Sequence, residues 1–167
     1  MSKPLKLADI KNQVQLLNET KRHNFTKETH IDYDVLFSYS KMDNLFEDLS
    51  SFIKEAKTKN IDYLKDDAQV IEFLQFLIVK HFTSLYGELK NQSLEMHTAT
   101  MWEMYKRGWL TFILDKLFDK EQIFIVVDRF YEKADMMTEL IKIEKSALEE
   151  FKDKIESEML KAKGKGK

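Results

Sequence analysis

The stretch Val70-Ile71-Glu72-Phe73-Leu74-Gln75-Phe76-Leu77-Ile78-Val79 is interrupted only by Glu72 and Gln75. A segment apolar on nearly every side is stable in water only when it is enclosed on every side. Asp66, with Gln69 three positions on, reads as a helix start. The stretch is therefore a helix, continuing through Phe82, Leu85 and Tyr86, and the rest of the chain must wrap it. One proline and four glycines in 167 residues leave little to interrupt the wrapping elements. The expected fold class is mostly all-α: a compact multi-helix domain with a short N-terminal strand or extended arm and a long C-terminal helix.

The flanking segments divide by periodicity. Leu7, Ile10, Val14 and Leu17 draw a thin apolar stripe on a first helix, one that packs loosely or orders on binding. Ile31, Tyr33, Val35 and Phe37 alternate with Asp32, Asp34 and Leu36, which predicts a strand or arm over 30–37, paired with Arg22 to Thr26 around Phe25. Ser40 with Asp43 predicts the start of a helix over Lys41 to Lys57, buried through Met42, Leu45, Phe46, Leu49, Phe52 and Ile53, with Glu47, Asp48 and Lys54 off that stripe. Ile61, Tyr63 and Leu64 pin the next connection to the core. Breaks around Gly87, Asn91 and Ser93 precede a helix bearing Leu94, Met101 and Tyr105, closed by Gly108 in the left-handed conformation. Trp109 to Phe118 forms a compact apolar helix.

Asp119 with Gln122 opens the final helix, whose Val127, Phe130, Ala134, Met137, Ile141, Leu148, Phe151 and Ile155 keep a heptad-like rhythm broken at Glu144. The domain reading is a single helical domain over 1–160: an arm over 1–39, a core over 40–141 and a projecting helix over 142–160, with a flexible basic tail over 161–167.

Chemistry is sparse. There are no cysteines, hence no thiolate nucleophile and no Cys-bearing metal site. The phosphate-binding glycine loops, the G-x-S-x-G elbow and H-E-x-x-H are all missing, and no Glu is followed three residues later by His, as a di-iron bundle would need. His30, Asp32 and Asp34 share one face of the predicted strand and could ligate a metal, though solvated carboxylates opposite Tyr33 and Phe37 explain them as well. His81 and His97 read as hydrogen-bonded residues. Glu72, Glu95 and Glu103 make no acidic cluster that would hold Mg²⁺. No enzyme, metal or cofactor is expected. A net charge of -2 argues against nucleic acid as partner. The N-terminal segment carries no signal-peptide run and no stretch reaches a membrane span's length, which argues for the cytoplasm and against a membrane partner. The candidate partner-binding residues are Trp102, Tyr105 and Trp109, from an aromatic and methionine concentration that also holds Met104 and Phe112.

The short first helix, the arm over 30–37, the helix Lys41 to Lys57 and the helix containing Phe76-Leu77-Ile78-Val79-Lys80-His81-Phe82 together resemble the small helical tail assembly chaperones of long-tailed bacteriophages and prophages, particularly those of Gram-positive hosts. The similarity runs from roughly Ile31 to Ile141 and is one of pattern and size. It implies a non-enzymatic protein of the bacterial host cytoplasm that coats the helical tape measure protein and recruits tail tube subunits. Such chaperones are often made in a short and a frameshifted long form, and a slippery GGGAAAG heptamer would read as the Gly-Lys found at Gly164-Lys165 and Gly166-Lys167. The competing reading is a helical adaptor or regulator that homo-oligomerises through the seam from Val127 to Ile155.

Overall fold

The computed structural model describes residues 3–137 and 145–164. The fold is mostly all-α, with one small two-stranded sheet. In chain order the elements are α1 (Leu7–Leu17), β1 (Thr20–Asn24), β2 (His30–Asp34), α2 (Tyr39–Thr58), α3 (Asp67–His81), α4 (Leu85–Leu89), α5 (Leu94–Lys106), α6 (Trp109–Phe112), α7 (Lys120–Met137) and α8 (Lys145–Gly164).

The apolar stretch lies in α3 as expected. Phe73, Leu74, Phe76, Leu77, Ile78 and Val79 are fully enclosed. Asp66 caps the helix by accepting from the Gln69 amide at 2.9 Å, and the Gln69 side chain accepts from the Lys65 amide at 3.0 Å. Against α3 packs α2, through Leu45, Leu49, Phe52 and Ile53, and α7 packs against α2, where Phe130 meets Phe46, and buries Ile123, Val126 and Val127 in the same core. Tying up the capping groups and removing this apolar surface from water are the two terms that hold the elements in register.

The strand expectation is corrected at its end. β2 stops at Asp34, pairs antiparallel with β1 from Thr20↔Asp34 to Asn24↔His30, and has a second partner the sequence does not announce. Immediately after α3, Phe82 accepts from the Asp34 amide at 2.9 Å and Ser84 donates to the Asp32 carbonyl at 2.8 Å. Thr83 is thereby extended, so the central helix ends at His81 instead of running on through Leu85. Phe37 stacks on Phe82 at 3.7 Å between ring centres and meets Phe118 edge-on, locking the arm to the ends of α3 and of the turn after α6.

Two capping readings and one helix reading change. α2 starts two residues earlier than Ser40 would place it: Ser38 is the cap, accepting from the Lys41 amide, and Asp43 takes Arg129 and Lys133 of α7 instead. The apolar segment after Gly108 is not a single α-helix, because after Phe112 it widens into a π-turn over Ile113–Leu117. Asp119 accepts from the Glu121 amide, while Gln122 leaves the helix end altogether and accepts from the Phe37 amide at 2.8 Å. Gly108 has φ +70° and closes α5 as expected. In the α2–α3 connection Leu64 holds φ +61° and is buried, so burial of its side chain offsets a backbone conformation unfavourable to leucine.

The C-terminal helix does not project. α8 lies against α7 and α3, with Leu148 and Ile155 buried, and it extends to Gly164, so Lys161 to Gly164 are helical where a flexible tail is expected. Lys120 bridges to Glu158, Lys152 to Asp128 and Lys163 to Glu121, all between α7 and α8. Ile141 and Glu144 of the expected seam, and the terminal Lys165-Gly166-Lys167, lie outside the described residues. No described helix is long and apolar enough to cross a membrane.

Candidate partner-binding surface

Ser93 caps α5 by accepting from the Met96 amide at 3.2 Å, and the helix buries one side through Leu94, His97, Met101 and Met104. A period of 3.6 places Trp102 off that side and Tyr105 at its border, one turn beyond Met101. They are 41% and 54% exposed and meet edge to face at 6.0 Å, two large rings with no core to occupy. Trp109 belongs to different company. It is half-buried, stacks on Phe25 of the hairpin at 4.6 Å, and carries the Arg107 guanidinium over its face at 5.1 Å. The three aromatics expected to form one patch are thus split, Trp102 and Tyr105 facing outward and Trp109 fixing the hairpin to α6.

Two grooves flank this region. One, of about 510 Å³, lies between the hairpin, α4 and α5, with Phe25, Ile31, Leu85, Met104 and Trp109 as its apolar lining and Glu88, Glu103 and Arg107 among its polar residues. The other, of about 660 Å³, runs between α3, α6 and α8. Its apolar lining is Ile71, Leu110, Leu114 and Phe151, Tyr105 lines it as well, and its charged residues among those described include Glu72, Glu150 and Lys154. Mostly apolar clefts with a few placed charges are where side chains of a partner are best accommodated. The first helix adds a third feature: no residue of α1 is buried, and Leu7, Ile10, Val14 and Leu16 are 67%, 44%, 51% and 53% exposed.

The carboxylates and histidines raised as chemical candidates are dispersed. Glu72 lines one groove and Glu103 the other, and Glu95 lines neither. Asp32 accepts two hydrogen bonds from Arg22, at 2.6 and 2.8 Å, and the guanidinium holds its carboxyl below the usual range. Asp34 is buried and paired with Lys41 at 2.5 Å, where burial pushes its carboxyl above the usual range despite the ammonium. It is therefore not the solvated residue the alternating pattern suggests. His30 stays exposed, and among the described residues no group of His, Asp and Glu is arranged to hold a metal ion.

The strongest electrostatic cluster is one the periodicity conceals. Lys80 and His81 are each 2% exposed, yet both reach the same carboxylate oxygen of Asp48 on α2, Lys80 Nζ at 2.5 Å and His81 Nε2 at 2.9 Å. Phe52 and Tyr86 lie over the ammonium, each at 5.8 Å. Burial raises the Asp48 carboxyl, but the His81 and Lys80 hydrogen bonds outweigh it and bring it to about 2. Burial holds His81 below its ordinary value, more strongly than Asp48 can raise it. His97 is also buried and held low by burial. Its Nδ1 donates to the Ser93 carbonyl at 2.8 Å, which leaves Nε2 as the bare ring nitrogen, without a hydrogen-bond partner. None of these groups lines either groove, so the cluster serves the α2–α3 interface. The one sequence signal for it is the position of Lys80-His81 at the end of a helix enclosed on all sides.

Comparison with known proteins gives one match. The family described as YomO, a phage or prophage type of family from Bacillus-like genomes, matches residues 7–162. No curated protein and no solved structure matches the chain.

Proposed function

The chain belongs to the YomO family, and we propose that it is a non-enzymatic tail assembly chaperone of a long-tailed phage or prophage, binding the helical tape measure protein and recruiting tail tube subunits. The observation that supports this most is the exposed edge-to-face pair Trp102 and Tyr105 on α5. Large rings left out of a core are the side chains that carry most binding energy when a partner covers them. Apolar faces of a long helical client would lie across these rings, and many copies along one client give avidity from individually modest contacts. Release follows when tube subunits compete for the same client surface.

The adaptor reading, with self-association through the C-terminal seam, has less in its favour. Leu148 and Ile155 are buried within the chain itself, so a second copy would have to displace α7 to reach them. The test is co-expression with the long helical protein encoded next to it, followed by co-purification from a tag on the chaperone. The expected result is a soluble complex that Trp102→Ala with Tyr105→Ala weakens at least tenfold without altering the circular dichroism spectrum. A client that stays soluble alone and never co-purifies would overturn the proposal. The coding DNA adds a second check, through a slippery heptamer at the Gly-Lys codons with an overlapping open frame.

A further inference from the structure

We propose that α1 of one copy docks into the groove between α3, α6 and α8 of a second copy, so that the chain self-associates head to tail. This goes beyond the client proposal and stands without it.

An 11-residue helix with no buried residue has little to stabilise it, since isolated helices of that length are marginal in water. Leu7, Ile10 and Val14, with Leu17 partly covered, form a continuous stripe of the kind that buries itself against a groove. At 1.5 Å per residue the stripe spans about 15 Å, and the groove follows α3 from Asp67 to Gln75, about 12 Å. Lengths therefore match to within one helical turn.

Charge selects this occupant. The α1 segment carries Lys3, Lys6 and Lys11 against one acid, Asp9, and Asp9 is committed to its own helix, accepting from the Lys6 amide at 3.0 Å. Among the described residues the groove presents Glu72 and Glu150 against Lys154. A net positive apolar helix thus faces a net negative apolar trough, which favours this register over like-charged alternatives. Topology makes the contact head to tail. The hairpin that α1 leads into packs on Trp109 and Phe112, while the groove uses Leu110 and Leu114 on the other side of α6. Two different patches on one molecule give a heterologous contact, which extends into rows of copies.

Sedimentation velocity of the full chain over a concentration series tests the proposal. The wild type is expected to gain weight-average mass with concentration. Ile10→Asp with Val14→Asp should weaken association at least tenfold with an unchanged circular dichroism spectrum, because no α1 side chain belongs to the core. Thr111→Lys with Glu150→Lys, two exposed groove positions, should do the same from the other side. Mixing that groove variant with Lys6→Glu, Lys11→Glu chains should restore association through the swapped charges. A wild type monomeric at every concentration overturns the proposal, as does an α1 variant that associates like the wild type, or a charge-swapped mixture that stays monomeric. Trp102→Ala alone, outside the groove that Tyr105 lines, should weaken client binding and leave self-association intact, so the two losses are read separately.

Discussion

Replacing Asp48 by Asn tests whether the α2–α3 interface depends on a buried ion pair. The change keeps shape and leaves His81 Nε2 an oxygen to donate to, but removes the carboxylate that, alone among the described residues, lies within 4 Å of the Lys80 ammonium. Breaking a buried pair in this way costs about 3–5 kcal/mol. The Asp48 side chain is 36% exposed, so water offsets part of that and about 2–4 kcal/mol is expected. Urea unfolding at pH 7, followed by circular dichroism, reads the loss as a lower midpoint at unchanged slope. The distinguishing sign is pH. The Asp48 carboxyl is held at about 2 in the fold, so the wild-type advantage over the variant is fully present above about pH 4 and narrows as pH falls from about 4 towards 2. A loss under about 1 kcal/mol, or a gap between variant and wild type that stays constant across that range, would refute the reasoning.

Two further outcomes follow from the same geometry. Acid should unfold the protein in two stages seen by circular dichroism against pH: His81 and His97, held below their ordinary value near 6.5, favour the neutral form in the fold and cost stability as pH falls below 6.5, and Asp48, ionised down to about 2, withdraws its contribution as pH falls from about 4 towards 2. The Asp48 share is at most about 2.5 kcal/mol and about 2 once its exposure is discounted. A transition that ignores the His81→Phe substitution would contradict the first stage. Gly108→Ala should cost about 1–2 kcal/mol in thermal or urea unfolding, all of it from backbone conformation, because φ is +70° and nothing lies within 4 Å of the added methyl.

What sequence alone determined are the elements whose signals are local. The apolar run of α3, its Asp66 cap, the stripe of α2 and the left-handed stop at Gly108 depend on contacts between residues three or four positions apart, and periodicity reports such contacts directly. The exposed stripe of α1 is legible for the same reason, whereas Tyr105 shares a period with Leu94 and Met101 and its exposure is decided by what α5 packs against. What tertiary structure alone decided are pairings across the chain: Asp48 with Lys80, 32 residues on, Gln122 with the Phe37 amide, 85 residues back, and β2 with the segment that ends α3. Each takes a polar group that local rules assign to a cap or to solvent and uses it instead to satisfy a buried partner. The return of α8 onto α7 is of that kind too, since a sparse charged helix reads as a free arm until its few apolar residues, Leu148 and Ile155, have a surface to cover and its lysines have carboxylates on α7 to meet. Burial is a property of two surfaces together, and a single stretch of sequence displays only one of them.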